Sequence, residues 1–379
     1  MSWTEVALVD VCKPKQWKTI PISALKKEGY PVYGANGVIG FYDEFNHLEE
    51  TLMITCRGAT CGTINLSTPK SYITGNAMAL DDLDRELCDI NFLYYYLSNR
   101  GFNDAITGTA QPQITRTSLS GIKIPLPPLS EQKRIAAILN EQMEAVEKAR
   151  KATEAQLEAA KALPAAYLRA VFESEEANSW ERRKLGEICQ SNGQYGTSEK
   201  STNVNQGLPV LRMGNIIEGK INWSDLMYVN LPTDEETKFL LKKGDVLFNR
   251  TNSAELVGKT AVFDAEFKAV FASYLIRFKM RYNLADPYYI SAYINSRQGR
   301  KFIEANMTRA IGQVNISAST MYNMPIPIPP TLEKQKQIAS TLTEQMQEVE
   351  RLKQNLKEQL DTINKLPAVL LRRAFKGEL

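Results

Sequence analysis

Between Ile338 and Leu370 the side chains at Ile338, Leu342, Gln345, Val349, Leu352, Leu356, Gln359, Ile363, Leu366 and Leu370 are spaced by alternating steps of four and three. A period of 3.5 predicts a coiled-coil helix that needs a partner. A second stripe of the same period runs through Ile135, Leu139, Gln142, Val146, Ala149, Thr153, Gln156, Ala160, Leu163 and Tyr167. It is narrow where the other is bulky, so the two helices are expected to pack on each other. Glutamine stands at matching places in both stripes, Gln142 with Gln345 and Gln156 with Gln359. Either these glutamines are buried and set the register at some cost in stability, or they lie at the wet edge of the seam.

The remaining chain follows a different rhythm. "YPVYGANGVIGFY", "TLMITCRGA", "GDVLFNRT" and "AVFASYLIRF" read as short strands bounded by glycine and proline, and "DINFLYYYLSNRGFNDAI" and "DPYYISAYINSRQGRKFIEAN" each read as a helix. The expected domains are mixed α/β or α+β, with an undetermined strand order.

The junction "IPLPPLSEQKRIAAILNEQM" at Ile124 returns as "IPIPPTLEKQKQIASTLTEQM" at Ile326, and from the shared "EQM" onward the two copies keep an offset of 203 residues. "WTEVALVDVC" resembles "WERRKLGEIC", "YPVYGANGVIG" resembles "LPVLRMGNIIEG", and "GTAQPQI" resembles "AIGQVNI". A repeat this long marks duplicated domains and not a solenoid. Four segments follow: a mixed domain over 1–125, a helix over 126–175, a second mixed domain over 176–327 and a second helix over 328–379. Paired prolines (Pro127 and Pro128, Pro329 and Pro330) stop each mixed domain; Ser130 with Glu131, and Thr331 with Glu333, start each helix. Each helix would be an arm of ~60 Å if straight, and Pro164 and Pro367 predict a kink or break near its far end.

Composition narrows the function classes. The chain has 379 residues, five cysteines without a CxxC pair and a single histidine, His47, so a common zinc cluster and most imidazole-based catalysis are excluded. Reduced, mostly buried thiols are expected. His47 lies in the acidic stretch "DEFNHLEE" and reads as an exposed loop residue. No basic leader or long apolar run is present, which predicts a cytoplasmic protein without a membrane segment.

"DPYY" at Asp286 superficially resembles an amino-methyltransferase motif, but its repeat counterpart "CDINFLYYYL" makes Asp286 and Asp89 helix N-caps. No P-loop, glycine-rich cofactor turn, histidine pair or GxSxG elbow accompanies it. Catalysis by this chain is therefore not expected. Net charge is weak evidence for DNA: residues 1–122 carry −3 and residues 176–325 carry +4. The acids of the first domain gather in "EFNHLEE" and "DDLDRE", which allows a positive patch elsewhere. Polar loops recur at similar places: Arg57 and Arg250 after strands, and Gln111 and Gln113 corresponding to Gln313 and Asn315. Arginine reads guanine and Asn or Gln reads adenine through paired hydrogen bonds; the alternative is that the amides satisfy turn backbone.

Two variable domains, each closed by "PLPPLSEQKRIAAIL" or "PIPPTLEKQKQIASTL" and a long helix, with "AFKGEL" at the end, resemble the specificity subunit of type I restriction-modification systems. The resemblance covers essentially the whole chain. It implies two similar α/β target-recognition domains in a pseudo-twofold tandem, separated by two helices that form an antiparallel coiled coil. It implies a non-catalytic reader of double-stranded DNA, one half-site per domain, with the helices setting the spacing. The implied partners are two adenine-N6 methyltransferase subunits and two restriction subunits, which would hold S-adenosylmethionine, ATP and magnesium; this chain would hold no cofactor or metal. DNA-facing residues are then expected at Asn36, Arg57, Gln111 and Gln113, and at Arg212, Arg250, Asn252, Lys259, Gln313 and Asn315.

Overall fold

The computed structural model describes residues 3–108, 112–310 and 312–379. The chain divides into two compact units, Met1–Ala155 with Lys357–Leu379, and Gln156–Leu356. Each contains one mixed domain and a part of both long helices.

In the first unit, Glu5–Ala7 pairs antiparallel with Lys123–Pro125, so the chain leaves the mixed domain beside the strand by which it entered. An antiparallel four-stranded sheet runs in the order Lys13–Gln16, Ala77–Asp81, Leu52–Thr55, Ile64–Leu66. A three-stranded sheet runs Gly37–Tyr42, Tyr30–Gly34, Tyr72–Ile73, antiparallel and then parallel. Alternate side chains of a strand face opposite sides. Leu52 and Ile54 therefore meet Leu93 and Leu97 of the helix Ile90–Arg100, while Met53 meets Tyr33 and Ile73 of the smaller sheet. Both faces are covered, which is why "LMIT" is apolar without alternation.

The second unit repeats the plan. Glu181–Lys184 pairs with Pro325–Ile328, and the four-stranded order is Gln194–Tyr195, Leu275–Phe278, Val246–Asn249, Thr260–Val262. Met227–Val229, Leu208–Leu211 and Val270–Phe271 form the three-stranded sheet, again antiparallel and then parallel. Val246, Phe248, Ile276 and Phe278 pack on Tyr289, Ile290 and Tyr293 of the helix Pro287–Asn295. Additions are the hairpin Ile216–Ile217 with Lys220–Ile221, the helix Thr233–Phe239, and a small sheet with Gln313–Asn315 between Thr251–Asn252 and Thr308–Ala310. The single late helix expected here is two, Pro287–Asn295 and Arg297–Asn306, because Ser296 is extended and its hydroxyl accepts from Gly299 N–H to cap the second.

Each long helix, Leu129–Phe172 and Leu332–Phe375, has 44 residues. In the first unit Ile135, Ala136, Leu139 and Met143 gather with Leu370, Leu371, Ala374 and Phe375. In the second, Tyr167, Leu168, Val171 and Phe172 gather with Ile338, Ala339 and Leu342. The start of one helix thus lies against the end of the other in both units, an antiparallel pairing. Pro164 and Pro367 do not break the helices. The missing proline N–H removes one bond, while packing of the turns beyond it holds the helical path.

The buried seam differs from the expected one at Ala149, Gln156, Leu352, Gln359 and Leu366, all of which are exposed. Leu139, Thr153, Ala160, Leu342, Val349, Leu356 and Ile363 are buried, with Val146 partly so. Between them the partly covered positions are Met143, Arg150, Leu157 and the expected Leu163 on one helix, and Met346 and Leu360, with buried Lys353, on the other. Leu352 and Leu366 are 43% and 37% exposed, and Gln156 and Gln359 are exposed. Gln142 and Gln345 are half-buried, whereas Ile135 and Ile338 retain their apolar packing. Two registers of a four-three repeat share every seventh residue, and apolar side chains at Leu352 and Leu366 favoured the wrong one on pattern alone. The buried polar residues of the seam are Thr153, bonded to Ala149 O at 2.9 Å, and Lys353, paired with Glu218 at 3.0 Å and Glu350 at 2.7 Å.

His47 is not an exposed loop residue. It is 9% exposed, its Nε2 is 2.9 Å from Asp81 Oδ1, and its ring stands edge-on to Trp17 at 5.3 Å. The polar neighbours in sequence misled because the pairing partner lies on a strand 34 residues away. Among the described residues no helix is long and apolar enough to cross a membrane.

Candidate nucleic-acid interface

In the first domain the hairpin Tyr30–Gly34 with Gly37–Tyr42 presents Asn36 at its turn. Thr55, the last residue of a core strand, donates its hydroxyl to Ala35 O, and Thr60 Oγ1 donates to Asn36 Oδ1 at 2.6 Å. The hairpin tip is thereby tied to the loop that carries Arg57. Arg57 forms an isolated antiparallel bridge with Gln113, and Gly58 N donates to Pro112 O at 3.3 Å. Asn36, Arg57 and Gln113 are all exposed, so three candidates share one surface. Gln111 lies outside the described residues.

The second domain builds the related region as a small sheet. Thr251 pairs with Asn315 and Asn252 with Val314, while Gln313 is exposed in the hairpin with Thr308–Ala310. Asn315 Oδ1 accepts from Arg250 Nη2 at 3.2 Å and its Nδ2 donates to Thr251 Oγ1 at 2.9 Å. One donor and one acceptor fix the orientation of this amide. Arg250 also donates from Nη1 to Ser273 O at 3.4 Å and lies over the Tyr195 ring at 4.7 Å. Asn252 Oδ1 accepts from Ser253 N–H at 2.8 Å, and half-buried Lys259 pairs its backbone carbonyl with Asn249 N–H at 2.9 Å.

Arg57 and Arg250 are not structural counterparts. In the first domain Thr55 exchanges backbone bonds with Gly62 and Thr63, and Cys56 O accepts from Ile114 N–H. In the second, Asn249 exchanges bonds with Gly258 and Lys259, and Arg250 O accepts from Ile316 N–H. Arg250 therefore occupies the place of Cys56, and Arg57 that of Thr251. A slip of one residue along an extended segment turns a side chain to the opposite face. Gly62 and Gly258, at φ +91° and +85°, sustain the same left-handed turn in both loops and confirm the match. Gln113 and Asn315 do correspond.

Arg212 is engaged rather than free: its Nη2 donates to Asp225 Oδ2 at 3.0 Å, which leaves it as a brace for its loop. Two residues invisible to motif reasoning support the second surface. Tyr195 stacks on Arg250 and accepts from Ala318 N–H at 3.2 Å. Arg300 donates to Val257 O and, at 3.3 Å, to Ala254 O, holding the loop after Asn252. A basic residue beside "INSRQG" carries no local sign of this role, since its partners are backbone carbonyls more than forty residues away.

Acidic groups of the first domain stand against basic partners. Arg85 lies 3.5 Å from Glu50 and 3.9 Å from Glu49, Lys13 is 2.9 Å from Asp82, and His47 meets Asp81. Asp286 and Asp89 are N-caps: each carboxylate accepts two backbone N–H bonds of 3.0 Å, from Tyr288 and Tyr289 and from Asn91 and Phe92. Burial pushes the thiols of Cys12, Cys88 and Cys189 up to about 12. Among the described residues no cluster of His, Cys, Asp and Glu could hold a metal.

Two copies of one mixed domain, each joined through a proline elbow to a long helix, define a duplicated α/β architecture. The chain belongs to the family described as type I restriction modification DNA specificity domain, whose model matches residues 1–158 and 178–362. It is 27% identical over 345 residues to the type I restriction enzyme MjaVIII specificity subunit of Methanocaldococcus jannaschii, covering 84% of this chain and 77% of that one. It is 26% identical over 278 residues to the EcoKI specificity subunit of Escherichia coli, covering 70% and 60%. With the MjaX specificity subunit of M. jannaschii it shares 27% identity over 198 residues, and there the chain spans 45% of the relative's length. The fold is that of a chain solved in work on assembly and conformational transition of the type I R-M system, with a TM-score of 0.68 at 22% identity over 100% of this chain and 98% of that one. The HsdS subunit from Thermoanaerobacter tengcongensis gives 0.64 at 21% identity, covering 100% and 97%.

Proposed function

We propose that this chain is the non-catalytic DNA reader of a type I restriction-modification complex, each mixed domain recognising one half of a split site in double-stranded DNA. The observation that carries the reading is the repeated sheet order, four strands and three strands in the same sequence of pairings, closed in both domains by the same elbow and long helix. Asn36, Arg57 and Gln113 face DNA in the first domain, and Gln313, Asn315, Asn252, Lys259 and Arg250 in the second; Gln111 joins the first set from its sequence position. The residue types suit base edges, with Arg250 preorganised by Tyr195 and Asn315. The long helices set the half-site spacing and dock two adenine-N6 methyltransferase subunits, and two restriction subunits add cleavage. S-adenosylmethionine, ATP and magnesium belong to those partners.

The domains differ where they read. Buried Cys56 with Gln16 occupies the place of half-buried Arg250 with Tyr195, so the two surfaces differ in chemistry and unlike half-sites are expected. Sequencing the modified bases of the host genome tests the reading. The expected motif is two unlike short half-sites separated by a constant unspecified gap; a contiguous motif would contradict it.

A further inference from the structure

The duplicated junction contains one residue whose chemistry neither the repeat nor the family description explains. Gln132 and Gln335 are the fourth residues of the two long helices and are 0% and 1% exposed. Gln132 Oε1 accepts from Asp89 N–H at 2.8 Å, while its Nε2 donates to Leu87 O at 2.9 Å and Pro127 O at 2.8 Å. Gln335 Oε1 accepts from Asp286 N–H at 3.0 Å and its Nε2 donates to Leu284 O at 3.0 Å. In both domains the target is the N-cap of the late helix, the aspartate whose own carboxylate holds the first turn. Each glutamine therefore joins two helix starts by a bond to a backbone donor and to a backbone acceptor.

We propose that Gln132 and Gln335 are positioning residues that lock each reading domain to its long helix at one angle, and thereby restrict the complex to one gap length; this rests on the split-site reading above. Apolar packing near the junction, such as Phe92 on Ile135 and Leu139, holds the elements together but leaves their angle soft. Hydrogen bonds are directional, and here opposite partners at the two amide atoms forbid a flipped or rotated arrangement. Glutamate could not replace glutamine, because its carboxylate would confront the carbonyls of Leu87 and Pro127 without a donor. Asparagine lacks a methylene of reach. The same clamp appears twice, in domains whose reading loops differ, which ties it to the joint and not to a particular DNA sequence.

The test uses the full chain in complex with its methyltransferase partner and a set of duplexes carrying both half-sites at gaps from two base pairs shorter to two longer than native. Gln132→Met and Gln335→Met keep side-chain bulk and remove the polar bonds. Amide hydrogen exchange on the same samples follows Asp89 and Asp286. The expected result is about tenfold lower methylation at the native gap, the effect of losing one buried polar clamp, with a relative gain at neighbouring gaps and unchanged half-site sequence. Faster exchange at Asp89 and Asp286 with an unaltered gap profile overturns the proposal. So does loss of protection throughout the chain, which would make the glutamines folding determinants. A wild-type complex that methylates no gapped motif would instead overturn the split-site reading and the clamp with it.

Discussion

The guanidinium of Arg250 lies 4.7 Å above the ring of Tyr195, and the equivalent pair in the first domain is Cys56 with Gln16, whose Nε2 is 2.9 Å from the Cys56 sulfur. A cation stacked on an aromatic face is worth about 0.5–1 kcal/mol at exposed sites. Tyr195→Ala should therefore release Arg250 and weaken discrimination in one half-site only, and Arg250→Ala should lower methylation through the same half-site. Methylation of duplexes with base changes placed in each half-site in turn checks both. Equal relaxation of the two half-sites would remove Arg250 from the reading surface.

The aspartates of the late helices act as caps. Asp286→Ala and Asp89→Ala should each cost about 1 kcal/mol of stability, read by urea denaturation, while the complex retains methyltransferase activity. Abolished chemistry in an otherwise stable Asp286→Ala complex would support the rival in which "DPYY" forms an active site.

Seam register is tested by a contrast of neighbours on one helix. Leu356 is 4% exposed and Leu352 is 43% exposed. Leu356→Ala should cost about 2–5 kcal/mol, and Leu352→Ala about 0.5 kcal/mol or less. Denaturant melts of the two variants decide between the registers.

Much of this architecture is written plainly in the chain. The repeat, the elbows, the two N-caps and the long helices follow from patterns that local chemistry determines, and Asp89 and Asp286 cap as their sequence contexts predict. What escaped were relations that differ by one residue or span long separations. Leu352 fits a four-three repeat as well as Lys353 does, and only packing chooses between them. Arg57 and Arg250 look equivalent in sequence, yet the bonds of Ile114 to Cys56 and of Ile316 to Arg250 set them one place apart. His47 found Asp81, and Gln132 found Asp89, through tertiary placement that no local pattern carries.

Thiol chemistry follows burial. Cys12, Cys88 and Cys189, with thiols raised to about 12 by desolvation, hold only about one part in ten thousand as thiolate at pH 8. Burial also raises Cys56 and Cys61, but Cys61 alone of the five cysteines is partly exposed. Alkylation of the native chain at pH 8 should mark Cys61 first, with the other four reacting after unfolding, as peptide mass spectrometry would show. Raising the pH toward 12 should accelerate the buried thiols before the fold is lost only if local opening exposes them.

The proposed function requires that the long helices set the distance between the two reading domains. The most direct measurement removes one heptad from each, residues 154–160 and 357–363, which preserves the seam period, and maps the modified motif across the genome. At ~1.5 Å per helical residue and ~3.4 Å per base pair, the half-sites should keep their sequences while the gap shortens by about three base pairs. Normal modification at an unchanged gap would contradict the account.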